Sequence, residues 1–201
     1  MEIDLARLIA KDILGDENAV QFVIVGSAQT RAAMLENGGI DIAIATFTIT
    51  EERKQSFSFS RPYFTDELGY LVCAGSGINE IRDLDGKTAG VVRTTTAHDA
   101  LDSECARLGI EMRVLEFSNY PEIKEALVNG RVNAFVSDKS ILYGYSDDTC
   151  ELLKDGFNPQ DYGIAANLAN KGLIARIDAL LNTLEKKGDL AAIFEKWELQ
   201  P

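Results

Sequence analysis

Residues 40–53 constrain the fold most, because they change abruptly from the pattern of a buried strand to the pattern of a helix start. Residues 40–45 are apolar except for Asp41, which is typical of a parallel strand covered on both faces. Thr50 is a candidate N-cap, and two glutamates follow it where the first helical turn would lie. A strand that leads directly into a helix indicates an α/β fold.

The same alternation of strand and helix patterns continues along the chain. The pattern predicts helices at 2–14, 30–36, 97–108, 121–128, 138–143, 173–187 and 189–197. It predicts strands at 20–25, 40–45, 70–73, 87–92, 112–117, 132–136 and 162–166. We interpret the two strand–helix series as two lobes, 1–71 with 167–201 and 74–163. Crossings at 70–73 and 163–166 would then form a hinge on which the lobes close.

The segment between strand 40–45 and Thr50 has the composition of an anion site. Thr46, Phe47 and Thr48 lie at the carboxyl end of a predicted strand, where open α/β sheets bind ligands. The planar guanidinium of Arg53 fits a carboxylate, and free amides at a helix start attract anions. The alternative is a capped helix that carries a surface arginine.

Charge and composition exclude several classes of function. The formal net charge of −12 disfavours nucleic acid and anionic membranes as partners. Cys73, Cys105 and Cys150 are odd in number and lack metal-ligand spacing, so we expect ordinary thiols. His98 is the only histidine, which excludes a cluster of histidine metal ligands. We expect no cofactor.

Several motifs in a fixed order resemble one family. The motifs are SAQTR, ATFTITEERKQSFSFSRPYF, DLDGKTAGVV, EALVNGRVNAFVSDKSIL, DYGIAA and FEKW. They look like the type-two solute-binding proteins of amino-acid ABC importers, and the aspartate/glutamate-binding members are the subgroup they resemble most. The resemblance implies a two-lobed clamshell of the type II periplasmic-binding-protein fold, with an amino acid bound in the cleft between the lobes.

The resemblance also implies roles for the segment after strand 40–45. Arg53 would hold the α-carboxylate of the ligand, and Thr48 would add a hydroxyl or amide. The carbonyl of Thr46 would receive the α-ammonium. These roles agree with the chemistry of a guanidinium fork and of neutral oxygen acceptors.

The second lobe would supply further ligand contacts. Arg93, Thr95 and Thr96 follow a predicted strand and open a predicted helix, where amides and hydroxyls attract a carboxylate. By resemblance, Thr96 would be a second donor to the α-carboxylate, and Arg93 would reach the ligand or the opposite lobe. Asp138 would bind the α-ammonium. The alternative is that the threonines and Asp138 are plain helix caps.

Arg31 is the candidate for ligand specificity. It follows predicted strand 20–25 at the start of a helix, on the same edge as Thr46, and acidic-amino-acid binders of the family tend to have an arginine here. The alternative is a solvated arginine on the helix surface. Phe47 is a candidate for lining the cleft, although aromatic residues at such spacing are more often buried in the core.

The leading hypothesis is a non-enzymatic protein that binds glutamate or aspartate and delivers it to an ABC importer. The alternatives are a glutamine binder, the sensor domain of a receptor, and a dehydratase on the same fold. A dehydratase needs a general acid or base in the cleft, for which Glu67 and Asp138 are candidates. By resemblance the protein is periplasmic or a cell-surface lipoprotein, although no signal peptide is visible in these residues.

In the family, a first strand and a loop precede the first helix. We find neither in these residues, so we expect the native N-terminus to differ from Met1. An exposed sheet edge would then lower stability or pair with another chain in a dimer.

Overall fold

The computed structural model describes residues 1–199 and divides the chain into two compact units. The first unit contains Met1–Thr65 and the chain from Asp161 onward, and the second contains Asp66–Gln160. The predicted crossings at 70–73 and 163–166 lie C-terminal to these two boundaries. The predicted closure of the lobes on a ligand stays a prediction.

Helices and strands alternate over most of the described chain. The helices are α1 (Glu2–Leu14), α2 (Ala28–Glu36), α3 (Ala97–Leu108), α4 (Tyr120–Val128), α5 (Lys139–Tyr143), α6 (Lys171–Lys187) and α7 (Asp189–Lys196). The strands are β1 (Ile42–Ala43), β2 (Phe57–Phe59), β3 (Phe64–Cys73), β4 (Thr88–Val92), β5 (Arg113–Phe117), β6 (Ala134–Asp138), β7 (Cys150–Tyr162) and β8 (Ala165–Asn167). Turns of 3-10 helix lie at Arg53–Gln55, Ile81–Leu84 and Leu168–Asn170.

The first unit has a small antiparallel sheet in the order β1-β8-β2 among the described residues. Ile42 of β1 and Ser58 of β2 both lie opposite Ala166 of β8. Strand 40–45 was predicted to be parallel, and that prediction is wrong, because its partner β8 runs in the opposite direction. Only Ile42–Ala43 of the predicted strand pairs with a neighbour.

Helix α1 supplies much of the core of the first unit. Leu5 and Ile9 are one helical turn apart and are 0% and 3% exposed, so they form one buried stripe. They pack in a cluster with Tyr162 and Ile177 of α6. Burial of each such side chain contributes about 1.5–3 kcal/mol. The helix ends at Gly15, whose φ of 83° is favourable only for glycine.

The second unit has a sheet in the order β5-β4-β6-β3-β7. Strand β4 is parallel to β5 and β6, and β3 is antiparallel to β6. Val91 of β4 belongs to the same buried cluster as Leu101 of α3, and Val92 to the same cluster as Ile123 of α4. The sheet is therefore covered by a helix on each face, which explains the almost continuously apolar sequence of β4.

Two further sequence predictions of local structure are wrong, and one strand was not predicted. Residues 20–25 form no strand and make no backbone–backbone hydrogen bond to the other residues that the structure describes; Ile24 is 98% exposed. A single turn at Arg53–Gln55 replaces the helix expected after Thr50, because the chain enters β2 immediately afterwards. The long strand β7 was missed, because charged residues, glycine and proline interrupt its apolar pattern. The predicted edge-paired dimer stays a prediction.

Candidate functional site

Arg31 lies on α2 and is only 9% exposed. Helix α2 is capped by Ser27, whose hydroxyl oxygen accepts the N–H of Thr30 at 3.1 Å. Nη1 of Arg31 donates to the carbonyl of Ala45, and its guanidinium carbon lies 4.0 Å from the ring centroid of Phe47. The side chain of Arg31 is therefore held inside the first unit, and the alternative of a solvated surface arginine is wrong.

Arg53 contacts the same aromatic ring. Its guanidinium carbon lies 4.8 Å from the centroid of Phe47, and its Nη1 donates to the carbonyl of Thr48 at 2.8 Å. The hydroxyl of Thr50 accepts the backbone N–H of Arg53 at 3.1 Å, as expected of a cap. Backbone and side-chain contacts thus fix Arg53 next to the segment that was predicted to bind a ligand.

The ring of Phe47 is the part that Arg31 and Arg53 share. It is 3% exposed, and its centroid lies 5.8 Å from that of Phe57 and 5.2 Å from that of Phe59. The faces of aromatic rings attract cations, by about 2 kcal/mol or more when the pair is desolvated. Phe47 therefore fixes two positive charges close to each other in the first unit.

Thr46 has a left-handed backbone, with φ of 44°, which is strained for a residue other than glycine. Its N–H donates to Oε1 of Glu2 at 2.7 Å, and the hydroxyl of Tyr63 donates to the same oxygen at 2.6 Å. Burial raises the pKa of Tyr63 well above its ordinary value, and the charge of Glu2 adds to this effect. The Glu2 carboxylate thus anchors the Thr46 turn to helix α1.

Sequence reasoning missed both Glu2 and Tyr63 as partners of Thr46. Glu2 looked like an ordinary acidic residue in the first turn of a helix, where carboxylates are common. The glutamate is 44 residues from Thr46 in the chain, so no local pattern connects the two. Only the tertiary fold brings them together.

Arg93, Thr95 and Thr96 connect β4 to α3 in the second unit. The hydroxyl of Thr95 donates to the carbonyl of Val92 at 2.7 Å, and Arg93 is exposed. Thr96 holds the N-cap position without a side-chain cap bond, and its hydroxyl donates to Oε1 of Gln160 at 2.7 Å. That hydroxyl hydrogen is engaged by Gln160, so any carboxylate bound here would use the backbone amides that lead into α3, including those of Thr95 and Thr96.

Asp138 ends β6 and lies at the N-cap position of α5, but its side chain makes no cap hydrogen bond. Oδ2 of Asp66 instead accepts the N–H of Ser140 at 3.0 Å, so Asp66 caps this helix. The plain-cap interpretation of Asp138 is therefore wrong. Because β4 and β6 are adjacent and parallel, Asp138 and Arg93 follow the carboxyl ends of neighbouring strands.

The structure thus brings the candidate residues together in two groups, one in each unit. The first unit groups Arg31, Phe47, Thr48 and Arg53, with Thr46 on the same connection. The second groups the remaining candidates at the ends of β4 and β6. Residues 1–199 hold no group of three or more His, Cys, Asp or Glu side chains that could bind a metal. Among the same residues, every helix is too short or too polar to span a bilayer.

Comparisons with known proteins match most of the chain. Residues 1–200 match the family described as bacterial extracellular solute-binding proteins, family 3. The chain is 39% identical over 199 residues to the ABC transporter glutamine-binding protein GlnH of Bacillus subtilis. The aligned region covers 98% of this chain and 71% of that protein. It is also 38% identical over 167 residues to a glutamine-binding protein of Geobacillus stearothermophilus. That aligned region covers 82% of this chain and 62% of that protein.

A solved structure shows the same fold. An ancestral arginine-binding protein bound to arginine superposes with a TM-score of 0.83 at 33% identity, covering 98% of this chain and 86% of that chain. The mixed α/β fold with two sheets is that of the type II periplasmic binding proteins. The chain belongs to family 3 of the bacterial extracellular solute-binding proteins. The family predicted from the motifs is confirmed, whereas the two relatives are named for glutamine rather than for an acidic amino acid.

Proposed function

We propose that this chain binds L-glutamine outside the cytoplasm and presents it to the membrane permease of an ABC importer. The observation that carries the proposal is the likeness, over 98% and 82% of the chain, to two proteins named for glutamine binding. The chain spans 71% and 62% of the lengths of these relatives, so delivery to an importer is part of the proposal. Attachment as a periplasmic protein or surface lipoprotein is proposed from the family.

The backbone groups of an amino acid have matching partners in the candidate residues. Arg53 holds the α-carboxylate through its guanidinium fork, supported by Thr48 and by the amides of Thr95 and Thr96. Asp138 holds the α-ammonium, and the carbonyl of Thr46 accepts from it. The position of Asp138 supports this role, because Asp66 rather than Asp138 caps α5.

The environment of Arg31 favours a neutral ligand side chain over an acidic one. Glutamate or aspartate would need a further cation for its second carboxylate, because an unpaired buried charge is strongly disfavoured. Arg31 was predicted to supply it, but its side chain is 9% exposed, donates to the Ala45 carbonyl and lies against the Phe47 ring, so we expect it to reach a ligand carboxylate poorly. The net charge of −12 adds to the disadvantage of an acidic ligand. Arg93 is the reserve cation for the acidic alternative.

Calorimetric titration of three variants with L-glutamine tests the proposed contacts. Arg53→Gln and Asp138→Asn should each weaken binding by at least about thirtyfold, because removal of one partner of a buried charge pair costs about 2–5 kcal/mol. Lys54→Gln is the control, because Lys54 follows Arg53 in the chain, is 48% exposed and, among residues 1–199, pairs only with Glu51 in a surface salt bridge. Unchanged affinity in Arg53→Gln would remove the proposed carboxylate contact.

A further inference from the structure

Cys73 and Cys150 lie opposite each other on two adjacent strands of the second unit. Strands β3 and β7 are neighbours in the sheet. The hydroxyl of Thr65, near the start of β3, donates to the carboxylate of Asp161, near the end of β7, which shows that the two strands run antiparallel. The N–H of Ala74 donates to the carbonyl of Thr149 at 2.9 Å, which is one of the two bonds that flank a pair formed by residues 73 and 150 in an antiparallel ladder. Cys73 therefore faces Cys150.

This pairing fits the geometry of a disulfide. Cys73 and Cys150 form a non-hydrogen-bonded pair of the antiparallel ladder, and the Cα atoms of such pairs lie about 4.5 Å apart. Disulfides join Cα atoms about 4.4–6.8 Å apart. Both cysteines pack against the same buried cluster as Leu71 and Leu152, so both side chains point to the same face of the sheet. We propose that Cys73 and Cys150 close a disulfide when the protein meets a low-molecular-weight disulfide.

The surroundings of the two sulfurs determine the order of the reaction. Cys150 is 0% exposed, whereas Cys73 is partly exposed, so an external reagent reaches Cys73 first. Burial raises the pKa of Cys73, and the charge of Cys150 and a hydrogen bond with Cys150 raise it further. The positive charge of Lys124 opposes this increase. Nζ of Lys124 is fixed by Asp147 at 3.0 Å. The net effect is a raised pKa, so less of the reactive thiolate is present and the exchange should be faster at alkaline pH.

The reaction is two successive thiol–disulfide exchanges. The Cys73 thiolate, having lost its proton to water, attacks one sulfur of the external disulfide and releases one small thiolate. Cys150 then attacks the sulfur of Cys73 and displaces the second small thiolate, which takes up the proton that Cys150 releases. The protein loses two hydrogens, and the external disulfide is reduced to two thiols. Extracytoplasmic surroundings, which the family description implies, are oxidising enough for such exchange.

The disulfide should stabilise the fold. It would close a loop with 76 residues between the two cysteines, for which loop entropy predicts a large gain in stability that strain reduces. In a chain of this length we expect the Tm to rise by about 5–15 °C on oxidation. Cys105 lies on α3 in a different buried cluster, so it should take no part.

Glutathione disulfide is the probe in the test. The reduced protein is incubated with it, the remaining thiols are alkylated, and the products are identified by intact mass and peptide mapping. We expect loss of two hydrogens, one cross-link between the peptides of Cys73 and Cys150, and alkylated Cys105. Cys105→Ser should behave like the unmodified protein, and Cys150→Ser should stop with glutathione bound to Cys73.

Three results would overturn the proposal. The first is a stable glutathione adduct on Cys73 of the unmodified protein, without the internal cross-link. The second is a cross-link that involves Cys105, or the same mixture of cross-links in the folded protein and in protein unfolded in urea. The third is full alkylation of all three thiols after incubation with the probe, because no exchange would then have occurred.

Discussion

Replacement of Glu2 by alanine should destabilise the first unit much more than a typical substitution near a chain end. Oε1 of Glu2 accepts the N–H of Thr46 at 2.7 Å and the hydroxyl of Tyr63 at 2.6 Å. Hydrogen bonds to charged groups contribute about 1.5–3 kcal/mol, and a buried donor left without its acceptor costs about 1–3 kcal/mol. Since Tyr63 is 3% exposed, Glu2→Ala should lower the free energy of unfolding by about 2–4 kcal/mol.

The assay is urea unfolding followed by circular dichroism, with the Tm measured by calorimetry. Glu2→Gln keeps an amide oxygen that can accept both bonds, so it should lose less than half as much stability. Tyr63→Phe removes one donor together with its hydroxyl and should cost about 1 kcal/mol. In Glu2→Ala/Tyr63→Phe the two costs should not add, because the residues share one bond.

Two outcomes would refute this reasoning. One is a loss of under about 0.5 kcal/mol in Glu2→Ala, the range of ordinary surface substitutions. The other is strict additivity in the double variant. If Thr46 also contacts the ligand as proposed, glutamine affinity should fall in Glu2→Ala and recover in Glu2→Gln.

Three further substitutions probe other parts of the structure. Arg31→Leu should lower the free energy of unfolding by about 2–4 kcal/mol and should weaken the binding of glutamine and glutamate equally. A loss of affinity for glutamate alone would show that Arg31 determines ligand specificity. Tyr70→Phe should raise stability by about 1 kcal/mol in urea unfolding, because the buried Tyr70 hydroxyl has no hydrogen-bond partner among the described residues. Gly90→Ala should cost about 1–3 kcal/mol, since a Cβ there would lie 2.7 Å from Ile123 Cγ2. Gly172→Ala is its control, with nothing within 4 Å of the new Cβ, and should be neutral or stabilising.

Stability should also fall at alkaline pH. The pKa of Tyr63 is raised by burial and by the charge of Glu2, so the folded protein keeps this proton at pH values where the unfolded chain releases it. The contribution is complete below the ordinary tyrosine pKa of about 10 and is lost as the pH rises above it, by about 1.4 kcal/mol per pH unit. Urea unfolding between pH 9 and 11 measures this slope, and Tyr63→Phe should reduce it. Equal slopes in the two proteins would exclude Tyr63 as its source.

Local patterns in the sequence were enough to locate most helices. Helix α3 was predicted at 97–108 and observed at Ala97–Leu108, because helical apolar spacing and Gly109 define both ends. The same reasoning failed for residues 20–25, since an apolar run shows what could pair in a sheet but not whether a partner is present. It also failed for β7, whose apolar residues are separated by charged ones.

The residues of the candidate site could be predicted from the sequence, but the contacts between them could not. Arg31, Phe47 and Arg53 were all identified as candidates, yet nothing in their spacing showed that both guanidinium groups lie against one ring. Asp138 looked like a helix cap because aspartate at that position usually is one. The competing cap, Asp66, lies 74 residues before its partner Ser140 and reaches it only in the folded sheet.

Calorimetric titration of the unmodified protein with L-glutamine and L-glutamate tests the central claim most directly. Arg31 is 9% exposed, donates to the Ala45 carbonyl and lies against the Phe47 ring, so we expect the second carboxylate of glutamate to gain little from this cation. We therefore predict that glutamine binds at least about thirtyfold more tightly than glutamate at pH 7, a difference of about 2 kcal/mol. Equal affinities, or tighter binding of glutamate, would contradict the account and support the acidic-ligand alternative.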